Sequence, residues 1–507
     1  MTFGDLLRGF IQVMDVLVLA YMFLYFAVSL WFVGLSLTRI RSELGREQVR
    51  PAARALRDNF LPTITLLVPA YNEEVTIVES LKSLLLLQYP SFEIVICNDG
   101  SKDRTMDVLR REFLFVRTEL EYDAHLQTKP IRSFYESRLP LPKGLRRLVL
   151  IDKENGGKAD ALNAAINVAR GVFVTSMDAD SVLLPDALLR AVRPFVDDPT
   201  GVVAVGTQVG LTNGARIEGG RVVDVHTPRS WVARFQVVEY MRSFAQGRTA
   251  LGALDSLLIL SGVYALLRRD YVVAIGGFLT RDMRSRVGIE YCGEHVETVC
   301  EDMEIVVRLH RYLLDRNLPN RVVFLTTPTA WTEAPEVLHD LGKQRARWYR
   351  GLLEVLSFHR GMLLRRRYGR IGLFALPYQI FFEAMAPMLE GVGYVMLLVT
   401  ALTGALSLRV ALSFACLAAA MNLCLSTLSV LLCAYSERGV EVRTHTLSLF
   451  PFARLRDIVL LIGVGLLSNF GYRQVLVVYQ IKGLWDFIRG RKAWDKFARK
   501  GFQAVAA

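Results

Sequence analysis

Thr63-Ile64-Thr65-Leu66-Leu67-Val68-Pro69, followed by Tyr71-Asn72-Glu73-Glu74, is a short β-branched run stopped by a proline. β-Branched side chains suit a pleated, buried surface, and proline cannot continue a central ladder. Behind it an amphipathic helix runs to Leu87, and the pattern then repeats. Glu93 to Asn98 is a second strand, ending in Asp99-Gly100-Ser101. Leu148 to Ile151 is a third, and Val172 to Met177 a fourth, ending in Asp178-Ala179-Asp180. Strands alternating with helices from about Leu61 predict a mostly parallel sheet with right-handed crossovers. Ligands of such sheets sit outside the carboxyl ends of the strands, so Asp99, Asp178 and Asp180 are expected to line one crevice.

Taken alone, Asp178-Ala179-Asp180 has two readings. Acidic residues at strand ends cap the helix that follows. They also bind Mg²⁺ or Mn²⁺, which prefer one or two carboxylates with phosphate oxygens completing the shell. Asn155-Gly156-Gly157-Lys158-Ala159 precedes a helix and offers flexible backbone beside one lysine. That suits a diphosphate, and it equally suits a loop with a solvated lysine.

Outside this region the chain is unusually apolar and basic. It has 507 residues, 52% of them hydrophobic, and 61 Lys+Arg against 49 Asp+Glu, a formal net charge of +12. Disorder needs low hydrophobicity and collagen needs periodic glycine, so both are excluded. Val16 to Leu37 is a 22-residue stretch without a charge, long enough for the ~30 Å hydrocarbon core at about 1.5 Å per residue. It has no cleavage pattern behind it, and it reads as a retained span. Arg39, Arg41, Arg46, Arg50, Arg54 and Arg57 follow and place the next segment in the cytoplasm.

A second basic cluster, Arg365, Arg366, Arg367 and Arg370, precedes apolar sequence from Ile371 to Leu408 that holds Pro377, Glu383, Pro387 and Glu390. That stretch is expected to start as a kinked or interfacial helix and to span at about 385–406. Val410 to Ser436 is a cleaner run, and the two together predict a membrane hairpin. Ile458 to Tyr472 is uncharged for only 15 residues before Arg473, short of the ~17–25 of a span. A re-entrant or broken hairpin over about 445–485 keeps the basic tail cytoplasmic. The expected order is therefore a transmembrane helix (1–40), a cytoplasmic domain (41–335), interfacial helices (336–370), a transmembrane hairpin (371–436), further membrane or re-entrant helices (437–488) and a basic tail (489–507).

The six cysteines form no C-x-x-C pair. Cys292, His295, Cys300 and His310 lie close together, but their spacing fits no common zinc site, and a reduced cytosolic loop is the simpler reading.

The order of the motifs carries more than any one of them. Val68-Pro69-Ala70-Tyr71-Asn72-Glu73-Glu74, Asn98-Asp99-Gly100-Ser101-Lys102-Asp103 and Gly157-Lys158-Ala159-Asp160-Ala161-Leu162-Asn163 come first. Asp178-Ala179-Asp180, Ser261-Gly262, Glu301-Asp302 and Gln344-Arg345-Ala346-Arg347-Trp348 follow. In this order the chain resembles glycosyltransferase family 2, and more closely its processive membrane-embedded members, the poly-N-acetylglucosamine, hyaluronan, chitin and cellulose synthases. The resemblance implies an α/β GT-A-type nucleotide-sugar transferase domain inserted between transmembrane and interfacial α-helices.

It also implies roles. Asp99 would contact uridine, with Ala70 and Glu73 near the base and ribose. Lys158 would hold the diphosphate. Asp180, with Asp178 beside it, would bind Mg²⁺ or Mn²⁺ and the donor. Asp302, next to Glu301, would be the general base. Gln344, Arg347 and Trp348 would hold the diphosphate and the acceptor end, Trp348 as a stacking face. The family often has Thr before Glu-Asp, where this chain has Cys300. Residues 281–298 read as an insertion ahead of the base, a lid or a solvated loop. Trp231 to Gln246 resembles the family's interfacial helix, and by itself reads as an amphipathic surface helix.

The implied activity is inverting transfer from a UDP-sugar to a growing β-linked polysaccharide that is moved across the bilayer, in a multi-pass inner-membrane protein. UDP-GlcNAc is favoured over UDP-glucose, and an accessory export subunit is a further candidate partner. Glu383 and Glu390, carboxylates within an apolar run, are expected to line the polymer's path. The alternative is a non-processive enzyme adding one sugar to a lipid, and a non-enzymatic alternative is a nucleotide-sugar-sensing receptor. Much of the basic surplus is juxtamembrane, so nucleic acid is not needed to explain it.

Overall fold

The computed structural model describes residues 3–49, 61–404, 406–444 and 455–491. Arg50, Arg54, Arg57, part of the expected re-entrant region and the tail beyond Arg491 lie outside them.

Twelve strands are present among the described residues: β1 (Ile64–Ala70), β2 (Phe92–Asn98), β3 (Phe115–Thr118), β4 (Ile131–Ser137), β5 (Leu145–Lys153), β6 (Phe173–Met177), β7 (Val182–Leu183), β8 (Val202–Leu211), β9 (Ala215–Glu218), β10 (Arg221–Val225), β11 (Tyr264–Arg268) and β12 (Arg321–Thr332). Ten form one sheet in the order β3-β4-β5-β2-β1-β6-β11-β8-β12-β7, and β9 pairs with β10. Its centre, β5-β2-β1-β6, is parallel, and β11 closes onto β6 and β8 antiparallel.

The centre is buried on both faces, which is why its strands read as apolar runs rather than alternating ones. Ile64, Leu66 and Val68 pack with Ile77, Leu81 and Leu84 on one face. Leu67, Val95 and Cys97 pack with Ala161, Leu162 and Ala165 on the other.

Parallel register then aligns the strand ends. Ala70 pairs with Asn98 and Asn98 with Asp152, so Asp99 and Lys153 emerge side by side. β6 runs parallel to β1 from Phe173 beside Ile64, which brings Asp178 out at the same edge.

Among the described residues, three helices are long and apolar enough to cross a membrane, Ile11–Gly45, Ile371–Leu402 and Leu408–Ser436. A bent pair, Leu455–Leu467 and Tyr472–Ile488, meets at 57°. The first helix does not stop near residue 40 but continues to Val49. Arg39 and Glu43 pair one turn apart at 3.2 Å, and Glu43 accepts hydrogen bonds from the Thr326 amide and hydroxyl, so its charged turn is tied to β12. The start of Ile371–Leu402 is wound into π-helical turns on both sides of Pro377, as its proline and polar residues predict.

Trp231–Met241 is more buried than an amphipathic surface helix. Ala233, Gln236, Val237 and Val238 are enclosed, and it continues through π-helical turns to Arg248. Gln246 there donates to the Ser29 carbonyl and accepts from the Ser429 hydroxyl, while Arg242 donates to Asn422 and Tyr25. This segment fastens two apolar helices to the underside of the sheet.

Candidate functional site

The residues to which the resemblance assigns a donor, metal, base or acceptor role all line one cavity of about 1930 Å³: Ala70, Glu73, Asp99, Lys158, Asp178, Asp180, Glu301, Asp302, Gln344, Arg347 and Trp348. The same cavity is lined by Tyr25, Ser29 and Phe32 of the first helix and by Tyr378, Gln379 and Glu383.

Asp99 is 2% exposed and held from several sides. Its carboxylate accepts from Lys153 at 2.7 Å, from the Gly156 and Gly157 amides at 2.9 and 2.8 Å, and from the Asn155 side chain at 3.1 Å. Gly157 makes its bond at φ +90°, where a side chain would be strained. Asp99 thus anchors the loop that starts the Lys158–Val168 helix, a structural duty that the motif alone did not reveal. Lys153 is fully buried and also pairs with Asp160 at 2.5 Å. Its one signal in the sequence is a lysine ending the apolar run of β5.

Lys158 bridges the two halves of the site, at 2.8 Å from Asp178 and 2.7 Å from Glu301. Burial opposes its charge, but the two carboxylates win and hold the ammonium protonated well above the usual lysine range. Asp180 is 2% exposed, with the Ser181 hydroxyl 3.4 Å from Oδ1. Two carboxylates at one strand end, both facing a cavity that also holds a lysine, form an all-oxygen donor set that fits a hard divalent ion.

Asp302 opens the Glu301–Asp315 helix. Its Oδ2 accepts from the Gly262 amide at 3.1 Å, and its Oδ1 accepts from the Met303 amide at 2.9 Å and the Cys300 thiol at 3.4 Å. A Cβ on Gly262 would stand 3.2 Å from the Lys158 ammonium, so the Ser261-Gly262 motif lets backbone reach the carboxylate without displacing the lysine. Burial first, then the charge of Glu301, raises the Asp302 carboxyl above the ordinary range. Burial likewise keeps Cys300 a thiol, the form that donates.

The Leu338–Phe358 helix carries the last motif. Burial lowers Arg347 from the usual arginine range despite the opposing charges of Glu301 and Asp178. Gln344 is 8% exposed, and its Oε1 is buried with no protein partner. Trp348 is partly exposed under the Arg345 guanidinium, 4.3 Å from its ring, and Arg345 is itself fixed by Glu239 at 2.5 Å. Arg248 also faces the cavity, stacked 4.3 Å over Phe244 with Nη1 unpartnered by protein. Sequence reading passed over it because one arginine in an apolar stretch has no motif.

Two expectations change. Glu383 lines the cavity but Glu390 does not; Glu390 is taken up by a two-contact ion pair with Arg473, one contact at 2.8 Å. Residues 281–298 are not simply a solvated loop. Ser285 caps the helix Arg286–Cys292, and residues 295–298 line the cavity.

Residues 131–351 match the family model Glycosyltransferase like family 2, and residues 65–118 match Glycosyl transferase family 2. Poly-beta-1,6-N-acetyl-D-glucosamine synthase of Staphylococcus aureus (strain COL) is 27% identical over 304 residues, 58% of this chain and 56% of that one. The synthase of the same name from Staphylococcus epidermidis is 26% identical over 301 residues, 58% of this chain and 55% of the relative. The match thus spans a little over half the length of these relatives. Among solved structures, a mannosyltransferase from Pyrobaculum calidifontis with GDP-Man and Mn²⁺ aligns over 92% of this chain and 100% of its own, at 17% identity and TM-score 0.44. Staphylococcus aureus TarS with UDP-GlcNAc aligns over 82% and 92%, at 15% identity and TM-score 0.37.

Proposed function

From the glycosyltransferase family 2 domain that this chain carries, we propose that the protein is an inverting, processive transferase that extends a β-linked polysaccharide from a UDP-sugar and passes it into the membrane. The observation that carries this reading is one cavity lined both by the strand-end carboxylates and by residues of two candidate spans. Asp302 and Glu383 line that same cavity, which supports a path from the reaction centre toward the spans.

Asp302 takes the proton of the acceptor hydroxyl as that oxygen attacks the anomeric carbon from the side opposite UDP. Its amide and thiol donors orient it, and its raised proton affinity suits a base. No covalent glycosyl-enzyme is required. Charge grows on the departing diphosphate, and Lys158 and Arg347 face the cavity to meet it. Asp178 and Asp180 would hold Mg²⁺ or Mn²⁺, which when bound neutralises phosphate charge. Gln344 lines the same cavity, and Trp348 offers a flat face to the acceptor sugar.

The similarity to poly-N-acetylglucosamine synthases favours UDP-GlcNAc as donor. The positive-inside bias supports a cytoplasmic position for the domain. Purified protein in nanodiscs, given a panel of UDP-sugars, tests the reading by UDP release and product digestion. High-mass polymer from one donor is the expected product. A single sugar on lipid would establish the non-processive alternative, and no UDP release from any donor would end the proposal.

A further inference from the structure

Behind the base helix, outside the cavity, three side chains from separate elements converge. Cys292 ends the Arg286–Cys292 helix, Glu304 lies in the first turn of Glu301–Asp315, and His359 caps the end of Leu338–Phe358. Cys292 Sγ is 3.3 Å from Glu304 Oε1 and 3.9 Å from His359 Nε2, and Nε2 is 3.5 Å from Oε1. Glu304 and His359 are fully buried, and Cys292 is partly so.

We propose that Cys292, Glu304 and His359 form a binding site for a thiophilic divalent cation, Zn²⁺ or one like it, distinct from the carboxylate pair Asp178 and Asp180. Ligands bound tetrahedrally at zinc's usual distances stand about 3.4–3.6 Å apart, close to the three separations found. A point just off the plane of the three atoms is about 2.1–2.2 Å from each of them. His359 faces the other two groups through Nε2, so coordination there puts the ring proton on Nδ1, which is buried without a protein partner.

The donor types choose the ion. Arg308 holds both Glu304 oxygens, at 2.8 and 2.9 Å, and offsets that charge. The thiolate is then the one uncompensated anion, and a sulfur-nitrogen-oxygen set with one such anion suits Zn²⁺ better than Mg²⁺. Binding releases the thiol proton to solvent. His359 lies at a helix C-terminus, where the helix dipole favours positive charge.

The site also explains why the stretch from Cys292 to His310 fits no zinc spacing. Cys300 is committed to Asp302, and His310 to the Leu257 carbonyl and Asn320. The other two ligands are a glutamate and a histidine far along the chain. An ion here would pin residues 281–298 and the end of the Leu338–Phe358 helix to the helix that carries Asp302. The inference does not depend on the transferase reading.

The test uses the full chain in detergent, stripped with EDTA and titrated with Co²⁺ without nucleotide. One Co²⁺ per chain should give a thiolate charge-transfer band and the intense visible bands of a tetrahedral site, displaced by Zn²⁺ but not by excess Mg²⁺. Cys292→Ser should abolish the thiolate band, His359→Gln should weaken Zn²⁺ binding by about 10-fold or more, and Cys300→Ser should do neither. On the unmodified protein, Zn²⁺ should protect Cys292 from iodoacetamide, read by peptide mass spectrometry, which needs no variant to fold. No thiolate band, a band that survives Cys292→Ser, or alkylation of Cys292 unaffected by Zn²⁺ would overturn the proposal.

Discussion

The Cys300 thiol donates to the Asp302 carboxylate at 3.4 Å, at the position where the related synthases often carry threonine. A sulfur donor there does what a hydroxyl would do, so in the proposed mechanism Cys300 is a positioning residue for Asp302. Cys300→Ser should retain activity. Cys300→Ala should lower kcat about 2- to 10-fold with donor KM unchanged, the cost of one hydrogen bond. Equal activity in all three proteins, measured by UDP release, would remove Cys300 from the mechanism.

Asp302→Asn should lower transfer about 10²- to 10⁴-fold without loss of folding, the range general-base catalysis covers. The base must be deprotonated, so activity falls as pH drops through the Asp302 pKa. That pKa is raised, so the acid limb should lie above the ordinary aspartate range. Stability runs the opposite way. A carboxyl whose folded pKa is raised contributes stability below its unfolded pKa and loses it as pH rises through the folded one. Asp302→Asn should therefore melt no lower than the parent at neutral pH, and a clearly lower Tm would contradict this account.

Lys153 is enclosed completely between Asp99 and Asp160. Lys153→Met leaves both carboxylates buried without their counter-charge, and breaking buried pairs in this way costs about 3–5 kcal/mol. The protein should lose thermal stability and, because the Gly156–Gly157 loop hangs on Asp99, donor affinity as well. Nucleotide binding by titration calorimetry on the folded fraction separates the two effects.

If Trp348 stacks on the acceptor sugar as proposed, Trp348→Ala should shorten the product more than it slows UDP release, because the donor groups lining the cavity stay in place. Trp348→Phe should recover part of the length. Identical product sizes by gel filtration for all three proteins would exclude an acceptor role.

Glu390 and Arg473 should behave as structure, not as pathway. Removing either charge alone should lower Tm in detergent. Replacing both with apolar residues should recover it, since a paired charge in a low-dielectric setting gains little over packing. Polymer output should follow Glu383 rather than Glu390. Loss of output with stability intact in the double variant would return Glu390 to the path.

The local patterns determined the strands, the motif order and the apolar helices. A buried parallel strand is an apolar run wherever it sits, and the acidic residue after it marks the carboxyl end of the sheet. Asp99 and Asp178 were legible for that reason, and Asp302 only through the motif order shared with glycosyltransferase family 2. Pairings between distant residues depended on the tertiary structure. The sequence does not say that Lys153 would lie between Asp99 and Asp160, or that the Gly262 amide would reach Asp302. Nor does it say that Arg473 would take Glu390 from the cavity, or that Cys292 would meet Glu304 and His359 rather than its neighbours. Each contact joins elements whose approach is set by the register of the central strands and by helices crossing them. A one-dimensional pattern records which side chains are present and leaves their partners to packing.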